Sequence, residues 1–193
     1  MRSQCFKLLP KFSIRLAVPK MSEGIIVIVG SNGSGKSTLL RLLSNKYNTN
    51  APSIRNIINH SNLFFEPTNL SKDEPLIKNI DLIQSFCPLD DKFIKLSIDS
   101  LNLRSRLGEK VKNCSTGEVK KLLIALNLSQ NSHPVYFLDE PFENLDARSR
   151  KWMADILEKK FIKDRGRTLF VTAHKTSELD SIKSKVIDLD HVE

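Results

Sequence analysis

The 193-residue chain is poor in glycine and proline, with 7 and 8 of them, and it has no internal repeat and no linker rich in Gly, Ser or Pro. Collagen-like, low-complexity and disordered classes are excluded, because 40% of the residues are apolar and can build a core. A long apolar run is also missing. The most apolar stretch, Ile25 to Gly30, falls far short of the roughly 18 to 20 residues needed to cross a bilayer. The chain is therefore expected not to span a membrane by itself. Cysteine is scarce: Cys5, Cys87 and Cys114 are odd in number, far apart and without metal-ligand spacing. That argues against a disulfide framework and for a reducing compartment. Acids are outnumbered, 22 against 30 Lys and Arg, for a net charge of +8. Such a balance suits an anionic partner or a merely solvated surface, since most bases are interleaved with acids.

One segment has no acid at all. Between Met1 and Ser22 lie Arg2, Lys7, Lys11, Arg15 and Lys20, and the first acid is Glu23. An Arg- and Ser-containing, acid-poor N-terminus has the composition of a mitochondrial targeting segment. The same stretch alternates Phe12, Ile14, Leu16 and Val18 with Ser13, Arg15 and Ala17, as a half-buried strand would. Both readings are compatible, because an uncleaved N-terminus can be imported and then folded.

Farther along, hydrophobic patterning predicts an α/β domain. Ile25 to Val29 is a β-branched run without polar alternation, which suits a strand buried on both faces of a mostly parallel sheet. Val135 to Leu138, Leu169 to Thr172 and Val186 to Leu189 read as further strands, Ser37 to Leu43 and Met153 to Phe161 as helices. Residues 62–113 are helical in pattern and offer no buried strand. Strand–helix alternation with a helical insertion gives one domain: residues 1–61 and 134–193 as sheet core, and about 62–133 as a helical subdomain.

Gly30-Ser31-Asn32-Gly33-Ser34-Gly35-Lys36-Ser37 satisfies G-x-x-x-x-G-K-[ST] in the strand-to-helix setting that this phosphate loop requires, and Thr38 follows. Glycines let backbone N–H groups turn toward phosphates, and the helix N-terminus adds its positive dipole end. Lys36 offers a full charge to the β- and γ-phosphates of ATP, and the Ser37 hydroxyl can ligate Mg²⁺. Val135-Tyr136-Phe137-Leu138-Asp139-Glu140 is a buried strand ending in two carboxylates. Asp139 suits the Mg²⁺ of a phosphate-loop nucleotide. Glu140 points to the other side of the strand axis, free to polarise a water.

Three further pieces follow in order. Cys114-Ser115-Thr116-Gly117-Glu118 resembles the LSGGQ signature of ABC-type ATPases, with Lys120 and Lys121 behind it; Phe142-Glu143-Asn144-Leu145-Asp146 is similar to their D-loop; His174 is similar to their switch histidine. That order, over roughly Ile25 to Leu189, resembles ABC ATPases and not small-molecule kinases, GTPases or RecA-like motors. The resemblance implies that Ser115, Thr116, Gly117, Glu118 and Asp146 help bind a nucleotide held by a second protomer, and that Glu140 and His174 are catalytic. Partners follow from it too: a separate integral membrane subunit, a second nucleotide-binding subunit (a second copy or an ABC-like chain) and no nucleic acid. A peripheral place on a membrane is implied. Independently of function, Ser115-x-x-Glu118 is a capping box, with Val119, Leu122, Leu123 and Leu126 as the apolar stripe behind it.

Departures from the family pattern are specific. Thr116 stands for the first signature glycine and Cys114 for the leucine. The branched Thr116 is expected to crowd a loop where glycine admits the opposite γ-phosphate. No glutamine occupies the expected Q-loop after a strand near Ile57-Ile58; Ser61 or Glu66 would stand there, and Gln84 is too far along. Phe6 and Phe12 are candidates for stacking on adenine, although core packing explains either one. The substituted signature together with Asp139-Glu140-Pro141-Phe142 is similar to the ATP-binding subunit of the cytochrome c maturation haem exporter. That resemblance and the basic N-terminus imply a mitochondrial member on the matrix face of the inner membrane; the cytoplasmic face of a bacterial membrane is the other setting. The chain is short for the family, which implies no regulatory domain, and too short for the split head of a chromosome-maintenance ATPase. The alternative to a working ATPase is a weakly catalytic or non-catalytic structural subunit of a mitochondrial membrane assembly.

Overall fold

A computed structural model describes residues 24–44, 61–164, 166–174 and 184–190, together with the backbone of 4–9 and 12–16. Strands β1 (Gln4–Leu9) and β2 (Phe12–Leu16) pair antiparallel, with a register slip between Lys7 and Leu9. Four more strands, β3 (Gly24–Val29), β4 (Val135–Leu138), β5 (Thr168–Ala173) and β6 (Ser184–Asp188), form one sheet in the order β4-β5-β3-β6, parallel throughout. Ile25, Val27 and Val29 point to one face and Ile26 and Ile28 to the other, and all are buried. This is why β3 has no polar alternation. Ser61 bridges Val135 in parallel at the β4 edge. The strand expected near Ile57-Ile58, the side chains of Phe6 and Phe12, and the targeting reading of Met1 to Ser22 lie outside the described residues.

Each sheet face is covered by helices. Helix α1 (Lys36–Leu43) lays Leu39, Leu40, Leu42 and Leu43 on Ile26, Ile28, Phe137 and Phe170. Between α1 and β4 come α2 (Leu76–Phe86), α3 (Asp91–Ser100) and α4 (Thr116–Ser129), with a short 3₁₀ turn ahead of α2 and two more between α3 and α4. These helices share a core of their own, with Ile80, Ile83, Ile94 and Ile98 against Leu122 and Leu126. Helix α4 also sends Ile124 and Leu128 to the second face of the sheet. It is wedged between two cores, so every residue from Leu122 to Ser129 is buried, Asn127 and Ser129 included, a wider buried surface than the single apolar stripe expected.

Helix α5 (Ala147–Leu157) starts six residues before the predicted Met153. Its first turn is Ala-Arg-Ser-Arg, too polar to show a helical period, and it begins there because the Asp146 carboxylate caps the Ser149 N–H at 2.8 Å. Past Leu157 the helix widens into a π-helical turn, Glu158–Lys163. The phosphate loop, the Asp139-Glu140 pair and His174 hang from the C-terminal ends of β3, β4 and β5, where parallel sheets hold their ligands, whereas the signature segment opens α4.

Candidate active site

The loop after β3 wraps tightly before entering α1. A Cβ on Gly30 would lie 2.5 Å from Ser34 Oγ, so only glycine fits there. Gly35, at φ 96°, is the left-handed residue that opens α1. No side chain caps α1 and its first turn holds no acid, which leaves its N–H groups facing the loop. Ser34 Oγ is buried without a hydrogen-bond partner among the described residues. An orphaned donor next to an uncapped helix N-terminus fits a phosphate oxygen. Ser31, Asn32 and Gly33 are exposed and Thr38 is half-buried. Lys36 is 5% exposed, and its Nζ donates to the carbonyls of Gly30 (2.9 Å) and Ser31 (3.1 Å).

At the end of β4, Asp139 Oδ1 accepts from Ser37 Oγ at 3.1 Å and from Thr172 Oγ1 at 2.6 Å. A carboxylate and a hydroxyl from two elements are the hard oxygen donors that suit Mg²⁺. Glu140 has φ 45°, and that turn changes its expected direction. Its Oε1 is not free on the far side of the strand; it lies 3.6 Å from Lys36 Nζ and 3.2 Å from His174 Nε2. Glu143 joins Glu140 and His174 in a cluster whose ligand atoms fall within 4.8 Å of one another.

The signature segment is built differently. Ser115 and Glu118 close a capping box: Glu118 N–H donates to Ser115 Oγ (3.2 Å), and Ser115 N–H donates to Glu118 Oε2 (2.8 Å). Arg106 Nε pairs with Glu118 Oε1 at 2.9 Å. The Ser115 N–H, first, and Arg106 hold the Glu118 carboxyl below its ordinary value, against a partial penalty from burial. Thr116 is exposed as the first helical residue and lines the cavity that holds Asp139 and Glu140. The tight position is Gly117, where an added Cβ would meet the Asn144 carbonyl at 3.1 Å. Asp146 caps α5 and takes Lys121 Nζ at 2.5 Å, which holds its carboxyl well below the usual range. Lys120 Nζ reaches the Glu140 carbonyl (3.0 Å) and Glu143 Oε2 (2.8 Å). Both lysines thus latch the signature helix onto the loop after β4.

Of the two Q-loop candidates, Glu66 and not Ser61 lines the cavity of about 600 Å³ that also exposes Asp139, Glu140 and Lys120. Glu66 is buried and ion-paired with Arg41 at 2.6 Å. Thr172 escaped the sequence reading. Its one signal was a hydroxyl inside the apolar run Leu169 to Ala173, two residues before His174.

Residues 20–143 match a family profile described as ABC transporter. The manganese transport system ATP-binding protein MntB of Halalkalibacterium halodurans is 25% identical over 182 residues, covering 86% of this chain and 72% of the relative. ABC transporter E family member 1 of Arabidopsis thaliana is 29% identical over 153 residues, 78% of this chain but 25% of that protein. The chain thus spans most of one relative and a quarter of the other. Among solved structures, the ATP-binding cassette MJ0796, a dimer in a post-hydrolysis state bound to ADP and phosphate, superposes with a TM-score of 0.65. It is 18% identical, covering 99% of this chain and 95% of that one, and so speaks for a shared fold alone.

Proposed function

Because this chain belongs to the ABC transporter family and has the fold of its ATP-binding ATPase subunits, we propose that it hydrolyses ATP to drive a separate membrane subunit. The observation that carries the reading is the convergence of Lys36, Glu140 and His174 at one loop mouth, with Glu140 Oε1 3.6 Å and 3.2 Å from the two bases. ATP with Mg²⁺ supplies the phosphoryl group and the charge that the ion neutralises. Lys36 and the N-terminal amides of α1 would hold the phosphates, and Ser37 and Asp139 the ion. Glu140 would orient a water and His174 would fix the γ-phosphate end. In this reading Ser115, Thr116, Gly117, Glu118 and Asp146 face a nucleotide on a second subunit, and the helical segment moves as a subdomain.

The finer reading is a haem-handling complex of cytochrome c maturation on the matrix face of the mitochondrial inner membrane. It is supported by the resemblance carried by Thr116 and Asp139 to Phe142 and by the acid-free N-terminus. Deleting the gene should then deplete c-type cytochromes; normal levels would remove this reading and leave the ATPase one standing.

The principal test is purification with native partners, comparing phosphate release and mass. Glu140→Gln should lose at least about a hundredfold in turnover, as loss of a general base typically costs, while trapping a nucleotide-bound dimer. Wild-type turnover no higher than that of the variant would favour a structural subunit instead.

A further inference from the structure

We propose that Thr172 is a positioning residue of this centre: its hydroxyl sets both the Asp139 carboxylate and the turn that aims Glu140. The inference rests on reading the site as one for Mg·ATP. Thr172 is fully buried in β5, on the α1 side of the sheet where Phe170 also points. A hydroxyl buried among apolar neighbours is costly unless it is bonded, and this one is used twice. It donates to Asp139 Oδ1 at 2.6 Å and accepts from the Glu140 N–H at 2.8 Å.

Two consequences follow for the chemistry. Asp139 Oδ1 receives donors from two different elements, Ser37 on α1 and Thr172 on β5, which fixes the plane of a carboxylate that must meet an ion. Glu140 sits at φ 45°, a left-handed conformation unfavourable for a residue with a side chain. The bond from its N–H to Thr172 anchors that turn, and the turn carries its carboxylate to Lys36 and His174. A valine would fill the same space and lose both bonds.

The test compares the full-length wild type with Thr172→Val and Thr172→Ser, measuring ATP binding with Mg²⁺, ATP binding in chelator, and turnover. Losing a hydrogen bond to a charged group should weaken Mg²⁺-dependent binding about tenfold and lower kcat about tenfold, with Mg²⁺-free binding unchanged and Thr172→Ser close to wild type. The Glu140 amide of the wild type should also exchange slowly with solvent deuterium, a readout that stands if Thr172→Val does not fold. Equal losses with and without Mg²⁺, no rescue by serine, wild-type behaviour of Thr172→Val, or fast exchange at Glu140 would each overturn the inference alone. A wild-type chain that binds no Mg·ATP would overturn the reading of the site, and this inference with it.

Discussion

Helices α1 and α4 both carry motif residues at their N-termini, and they are finished in opposite ways. Helix α1 opens on Gly35 with no capping side chain and no acid in its first turn, over a buried serine hydroxyl that has no hydrogen-bond partner among the described residues; in the loop ahead of it, the Ser31 N–H and hydroxyl donate to the Asp190 carboxylate. Helix α4 opens on Ser115, closed by its own capping box, with the Glu118 carboxylate over the first turn and Arg106 upon it. A bare N-terminus is half an anion site. A capped one with an internal carboxylate has already met its dipole. On the proposed function, the loop of α1 would receive a phosphate from within one chain, whereas the signature helix is self-satisfied until a second subunit brings a competing anion.

The largest effect that would break this contrast is at Lys36. Its ammonium is buried and held by carbonyls and Glu140, and it is the full charge that the open N-terminus offers. Lys36→Ala should weaken ATP binding by about 1.5 to 3 kcal/mol, the usual worth of a charge-assisted contact. Titration with a fluorescent ATP analogue measures it. An unchanged Kd would mean that the amides of α1 suffice or that nucleotide binds elsewhere.

A smaller effect should appear at the closed N-terminus. Glutamine can complete the same capping box without the charge, so Glu118→Gln should strengthen ATP-driven association by about 0.3 to 1 kcal/mol, the ordinary size of a charge–dipole term. Light scattering with a non-hydrolysable analogue reports it; association no stronger than in wild type would refute the competing-anion idea. The same box carries a pH signature. Its carboxyl is lowered in the folded chain, so its stabilisation is complete above the ordinary carboxylate pKa and is lost as pH falls through the lowered value. Thermal melts taken into the acid range should show a decline for wild type that Glu118→Gln reduces.

What could be read from the sequence divides along the same line. The loop from Gly30 to Ser37, the β4 strand and the Ser115–Glu118 box are local: spacing along the chain dictates their geometry, and strand β4 spans the residues expected of it. Thr172 bonds to a residue 33 positions away, and Arg41 to one 25 positions away. Neither pairing leaves a periodic trace. The start of α5 was hidden for another reason, because Arg148, Arg150 and Lys151 crowd its first turns and only the Asp146 cap announces it. The direction of Glu140 could not follow from strand alternation, since the left-handed turn comes after the strand has ended.

The smallest effect is expected at Thr116, where the departure from the family pattern looked most damaging. The sequence leads to the expectation that a glycine there would ease the approach of the opposite subunit's γ-phosphate, leaving turnover equal or faster. In this chain the threonine is exposed and the close approach belongs to Gly117 against the Asn144 carbonyl. Thr116→Gly removes no clash within the subunit and adds backbone freedom at the first helical position, where glycine costs at most about 0.5 to 1 kcal/mol. Turnover in the assembled complex should therefore stay within about twofold of wild type, equivalent to about 0.4 kcal/mol in the barrier. Gly117→Ala should be the more harmful of the two, because the Asn144 carbonyl must yield to its methyl group. Phosphate release from the two variants side by side decides the matter. If Thr116→Gly were about tenfold faster, the threonine would be a brake that acts only across the subunit interface, and the closure of the signature helix would lie in its side chain and not in the Glu118 cap.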